Sequence, residues 1–137
     1  MTHITIENLT NAVANTKARS AWARGVREYA MDLLNGLDTD IRGGWFDAND
    51  LESPKLVRRA LLNGADDWAQ YSWGGCAYVY DEDIAVRLCN PSELKRTHNG
   101  ERRPNAREEW LDTQARALAQ ACRLIMNTLN TLAKSAA

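Results

Sequence analysis

NAREEWLDTQARALAQACRLIMNTLNTLAK, residues 105–134, decides the architecture of this 137-residue chain. Trp110, Leu118, Ala121, Ile125, Leu129 and Leu132 recur along it at helical spacing and form one apolar stripe. Asn105 offers a side-chain acceptor at the start, and Glu108 stands three residues on, the arrangement of a capping box. At roughly 1.5 Å per residue such a helix is a rod of about 40 Å, long enough to organise a small domain.

Shorter helices are expected upstream of it. Ile6, Leu9 and Val13 mark one face of a helix within residues 4–14. Ala18, Trp22, Val26, Tyr29, Leu33 and Leu37 form a second stripe, with Asn35-Gly36 as its expected C-terminal stop. Gly25 weakens that helix by roughly 1 kcal/mol relative to Ala, and would let another helix approach closely. Residues 38–52, DTDIRGGWFDANDLE, read as an acidic connection with no long element, pinned to the core by a Trp45-Phe46 plug. Ser53-Pro54 starts the next helix, with Leu56, Val57, Ala60 and Leu61 on its buried face and Asn63-Gly64 at its end.

A short helix over residues 65–73 follows, with Asp66 and Asp67 at its positive N-terminal end and Gly74-Gly75 breaking it. The run CAYVY, residues 76–80, has strand propensity. Val79, Ile84, Ala85 and Leu88 also fit a helix through 80–89, which is preferred because no partner strand is evident. Asn90-Pro91 with Glu93 starts one more short helix, ending at THNG, residues 97–100. The expectation is a single all-α domain over residues 1–137, of about five or six helices.

Composition agrees with a folded, helix-rich domain: 45% of residues are hydrophobic and only 3 are proline. No apolar run approaches the roughly 18 residues that span a bilayer, so no membrane association is expected. The opening MTHITIENLTNAV lacks a basic segment followed by an apolar one, so no signal peptide is expected. Cys76, Cys89 and Cys122 are odd in number and widely spaced, which fits reduced thiols in a cytoplasm. The net charge of −1 conceals a division: residues 1–83 hold 13 acids and 8 bases (−5), and residues 84–137 hold 5 acids and 9 bases (+4). A two-faced soluble domain has this pattern, and so does a binder of charged partners.

The candidate chemical sites are weak. Cys76 as a nucleophile needs a base, and neither His3 nor His98 is brought to it by spacing. A small residue after Gly74-Gly75 at a crowded turn is the simpler reading. Asp81, Glu82 and Asp83 are consecutive, so on a helix they point about 100° apart and cannot share one metal ion. Charges that favour a helix N-terminus, or partners for nearby arginines, explain them as well. Gly74-Gly75 lacks every phosphate-loop signature. No catalytic, metal or cofactor-binding residue is therefore assigned, and no cofactor is expected.

The basic stretch 95–107 is the strongest interaction candidate. Lys95, Arg96, Arg102, Arg103 and Arg107 fall within 13 residues, and guanidinium forks match phosphates and carboxylates. The alternative is a solvated loop paired with Glu101, Glu108, Glu109 and the acidic run. No recognised nucleic-acid module is present in the pattern. Tyr71 and Trp73, flanking the glycines, are either core or exposed anchors for a partner.

Residues 61–121, with YSWGGC, PSELK and NGERRPNAREEWLD as their most specific wording, resemble a family of small orphan proteins carried on phages and conjugative elements of gut bacteria. KARSAWARGVREYAMDLL, residues 17–34, fits the same family. The resemblance implies cargo of the anti-CRISPR or anti-restriction kind, with a type II-A CRISPR effector nuclease as the implied protein partner. It supplies no catalytic residues. The expected function is thus a non-catalytic inhibitor of a host defence nuclease. A nucleic-acid-binding accessory protein acting through residues 95–107 is the alternative, and an enzyme using Cys76 or the acids is third.

Overall fold

A computed structural model of the chain describes residues 4–73, 77–80, 85–89, 95–96, 102–103 and 106–136. Four α-helices carry the fold: α1 (Ile6–Ala14), α2 (Ala21–Arg42), α3 (Pro54–Trp73) and α4 (Ala106–Ala136). A short 3-10 helix, Ala48–Glu52, leads into α3. Among the residues whose burial is described, every core residue lies on one of these five elements, so that part of the core is all-helical. Between α3 and α4 run two short antiparallel ribbons, β1 (Ala77–Tyr80) with β2 (Ala85–Cys89) and β3 (Lys95–Arg96) with β4 (Arg102–Arg103).

Local chemistry explains the starts. Thr5 accepts a hydrogen bond from the Asn8 N–H at 3.0 Å, and Ser20 from the Ala23 N–H at 3.0 Å, each satisfying a donor that a first turn leaves open. Ser53 does the same for Leu56 at 3.4 Å, with Pro54 first in α3 as its spacing predicts. The long C-terminal helix is present as expected. Its Ala106–Ala136 span is about 46 Å at the standard rise.

α4 is the axis. Ala115, Ala117, Leu118, Ala119, Ala121 and Cys122 are all buried and take in somewhat more than half of the helix circumference, while Thr113, Arg116, Gln120 and Arg123 form an exposed face. An apolar face this broad needs cover from several sides, and α1, α2 and α3 each pack against it. Two side-chain hydrogen bonds define the α2–α4 contact. The Trp22 indole N–H donates to Gln120 Oε1 at 2.9 Å, and the Tyr29 hydroxyl donates to Gln114 Oε1. Position rises along α2 as it falls along α4, so the pair is antiparallel. Burial, and secondarily the Asp32 carboxylate, push the Tyr29 phenol above its ordinary 10.0, so it stays a neutral donor at physiological pH.

Three expected boundaries are corrected. α2 does not stop at Asn35-Gly36 but continues to Arg42, because Leu33, Leu34 and Leu37 bury their side chains on both sides of the glycine. α3 runs through Asn63-Gly64 to Trp73 for the same reason, with Leu61 and Ala65 buried to either side. Two expected helices are therefore one, and the described residues hold four α-helices where five or six were expected. The helix expected through 80–89 is replaced by the β1–β2 pair, in which Val79 faces Val86 and Tyr80 faces Ala85. The missing partner for a strand at 77–80 was the segment read as its helical continuation.

The bend at 74–76, the acids at 81–83, the helix start at 90–94, His3, His98 and the Asn105 cap lie outside the described residues.

Gly25 does not mediate a close helix approach, since a Cβ built there meets nothing within 4 Å. The same holds for exposed Gly36. Gly36→Ala is therefore expected to stabilise the protein by about 0.5–1 kcal/mol, through reduced chain entropy in the unfolded state. A thermal melt should show the midpoint rising by about 2–5 °C.

Candidate binding surface

α2 ends in a Schellman turn that positions an exposed tryptophan. Gly44 takes φ 79°, a left-handed conformation that strains any side chain. Its N–H donates to the Ile41 carbonyl at 3.2 Å, and the Trp45 N–H donates to the Asp40 carbonyl at 2.8 Å. Those are the two closing bonds of the motif. An apolar residue in Trp45's place usually packs back onto the last turn of the helix. Here that turn offers Thr39 and Asp40, and Trp45 remains 86% exposed. The ring lies along Gly43, where an added Cβ would come within 3.0 Å of the indole Cδ1.

Phe46 turns the other way and packs against the core. The expected Trp45-Phe46 plug is thus corrected: Phe46 pins the segment, and Trp45 projects into solvent. The sequence held a signal for this. Two glycines after an amphipathic helix mark its end, and a polar last turn leaves the following tryptophan nothing apolar to cover.

Beyond Phe46, Asp47 accepts from the Asn49 N–H at 2.9 Å and starts the 3-10 helix. Its Leu51 is buried and ties the segment to the core. Between this segment and α3 lies an open cleft of about 430 Å³, lined by Trp45, Phe46 and Leu56 with Asp40, Asp47, Asp50 and Arg59. Three carboxylates against one guanidinium give the cleft a charge of −2. Asp38 is engaged elsewhere, in an exposed pair with Arg42 at 3.1 Å.

The charge division is finer than the two halves of the chain indicate. Residues 15–27 carry Lys17, Arg19, Arg24 and Arg27 with no acid, a charge of +4. Residues 28–52 carry Glu28, Asp32, Asp38, Asp40, Asp47, Asp50 and Glu52 against Arg42, a charge of −6. The sign changes along α2 itself, a rod of about 33 Å at the standard rise. A second cleft of about 300 Å³ lies at its basic end, between Thr16, Lys17, Trp22, Gln120, Arg123 and Asn127. Trp22 there is 41% exposed and its N–H is already bonded to Gln120, so it belongs to the α2–α4 contact. Among the described residues, no hydrogen bond reaches the Trp45 indole.

The aromatic, acidic and basic residues singled out in the sequence as candidate contacts for a partner, Asp81, Glu82 and Asp83 included, are distributed as follows. Tyr71 and Trp73 lie in the last turn of α3. Asp81, Glu82 and Asp83 fall outside the described residues. Lys95 and Arg96 form β3, Arg102 and Arg103 form β4, and Arg107 belongs to the first turn of α4 rather than to a loop. The β3–β4 register sets Lys95 opposite Arg103 and Arg96 opposite Arg102, bringing four of the five expected cations to one ribbon. Of the cysteines, Cys122 is buried in the core and Cys89 ends β2. No group of three or more metal-ligating side chains occurs among the described residues. No helix among them is long and apolar enough to cross a membrane.

Comparison with known proteins finds no family model, no curated protein and no solved structure that matches the chain.

Proposed function

We propose that this chain is a non-catalytic binding protein of a mobile genetic element, an anti-CRISPR-type inhibitor of a host defence nuclease. The wording of residues 61–121 and 17–34 supports the mobile-element part of that reading. The observation that carries the binding part is Trp45, exposed on an anchored segment within the −6 stretch. Such a stretch suits a basic nucleic-acid channel, where displaced counterions reward a polyanionic protein much as they reward DNA. The direct test adds purified protein to a type II-A CRISPR effector nuclease before its DNA substrate. DNA cleavage should fall, and the inhibition should weaken steeply between about 50 and 200 mM salt. No binding to the effector even at low salt would end the nuclease reading.

A second reading is supported by the β3–β4 ribbon. Like charges set directly opposite on paired strands destabilise a ribbon in isolation, and an anionic ligand such as a nucleic-acid backbone would relieve the repulsion. On this reading Arg102→Ala with Arg103→Ala weakens DNA or RNA binding across all sequences. The double change should reduce the slope of log affinity against log salt by about 2. Wild-type protein that binds neither nucleic acid at low salt would exclude it.

A further inference from the structure

We infer that Trp45 and the carboxylates beside it form a docking surface for an arginine-bearing segment of a partner protein. The inference rests on the chain being a binding protein, and not on its partner being a nuclease.

Three observations meet at this surface. The first is an indole left 86% exposed, although its backbone is closed by two hydrogen bonds and its neighbour Phe46 is packed on the core. An aromatic side chain presented on an anchored turn loses little conformational freedom when it is covered, which is how interface anchors are built. The second is the cleft of about 430 Å³ beside the ring, open to solvent and floored by Phe46 and Leu56. The third is charge. Asp40, Asp47 and Asp50 line the same cleft as these apolar residues, and Arg59 is the sole cation lining it.

An apolar partner surface would bury those carboxylates unpaired, which is unfavourable. A nucleic acid would meet like charge. A guanidinium satisfies both features, because its plane stacks on an indole while its five N–H donors reach carboxylates at the ring's edge. Lysine offers a compact, strongly hydrated charge and fits the flat ring less well. The occupant is accordingly a segment with arginine at the ring and an apolar residue beside it for the Phe46–Leu56 floor.

The test uses synthetic peptides as probes: a nonapeptide of alternating Arg and Leu, the same peptide with Lys for Arg, and one with Glu for Arg. Binding to the full chain is followed by calorimetry and by the indole N–H resonance of Trp45, assigned by its loss in Trp45→Phe. The Arg peptide should shift that resonance saturably and bind more tightly than the Lys peptide, and the Glu peptide should not bind. Trp45→Ala should weaken the Arg peptide by about three- to thirtyfold, and Asp40→Asn with Asp47→Asn should weaken it and flatten its salt dependence. A side chain this exposed contributes little to folding, and an unchanged thermal midpoint in Trp45→Ala confirms that the comparison is between folded proteins. Equal affinity of wild type and Trp45→Ala for the Arg peptide, an unmoved Trp45 resonance, or tighter binding of the Glu peptide would each overturn the inference. Trp45-dependent peptide binding in a protein that leaves the nuclease fully active would remove the nuclease reading and keep this surface. Nuclease inhibition undiminished in Trp45→Ala, with no peptide binding, would do the reverse.

Discussion

Leu34→Ala is expected to remove about 2–5 kcal/mol of stability. Leu34 sits in the middle of α2 with no solvent exposure, inside the core that α1, α3 and α4 complete. Truncating it loses the transfer free energy of three buried carbons and leaves a void that surrounding helices can close only in part. A domain of this size has roughly 7–20 kcal/mol in total at 0.05–0.15 kcal/mol per residue, so the loss is a large fraction of the whole. At about 3–5 °C per kcal/mol, the thermal midpoint should fall by about 6–25 °C. A fall of under 3 °C by calorimetry would mean that Leu34 is not packed as described. Exposed Leu-free positions nearby, such as Asn35, serve as the control, because Asn35→Ala removes no buried apolar area.

Ala117→Leu is expected to cost about 1–3 kcal/mol by the opposite mechanism, overpacking. Ala117 lies three residues from Gln114 and three from Gln120 on α4, the two acceptors that α2 reaches with Tyr29 and Trp22. It therefore occupies the same row of the helix, midway between the two hydrogen bonds, and is 4% exposed. On α2 the midpoint between Trp22 and Tyr29 falls at Gly25 and Val26, of which Val26 is buried. Three added carbons at Ala117 would wedge the two helices apart where both hydrogen bonds hold them together. A Val26→Ala change in the same chain makes room, so the double variant should recover much of the loss. Urea denaturation of the two single variants and the double variant measures the coupling, and strict additivity would show that residues 26 and 117 do not share a contact.

Much of the fold was legible in the chain. Leu9 and Val13 on α1, Val26, Leu33 and Leu37 on α2, Val57 and Leu61 on α3, and Leu118, Ala121, Ile125 and Leu129 on α4 were all read as core from spacing, and all are buried. Ser53-Pro54 was read as a helix start and is one. What misled was glycine. Asn35-Gly36 and Asn63-Gly64 carry local stop signals worth about 1 kcal/mol each against Ala. Burying a single leucine, such as Leu37 beyond Gly36 or Leu61 before Gly64, is worth about 1.5–3 kcal/mol, so packing prevails over them. At Gly43-Gly44, expected to lie within a connection, the helix does end, because a left-handed turn there satisfies its last carbonyls.

The candidate surface was the least legible part. Trp45 is expected as a plug because large aromatics are mostly buried, and that general tendency outweighed the local signal of a glycine pair after a polar last turn. Its exposure follows from what lies opposite, Thr39 and Asp40 on the final turn of α2, and from Phe46 taking the available place on the core. The charge along α2 was present in the chain but averaged away when halves were counted.

By itself, the sequence determined the helical class, the long C-terminal helix, the start of α3 and most of the core face of each helix. These follow from periodicity and from side chains that cap their own backbone, both of which act over a few residues. Only the tertiary structure decided where α2 and α3 end, that residues 77–80 and 85–89 pair with each other, and which of two adjacent aromatics faces solvent. Each of those outcomes depends on a partner that is distant in the chain, and the free energy of burying against that partner exceeds the local preference it overrides.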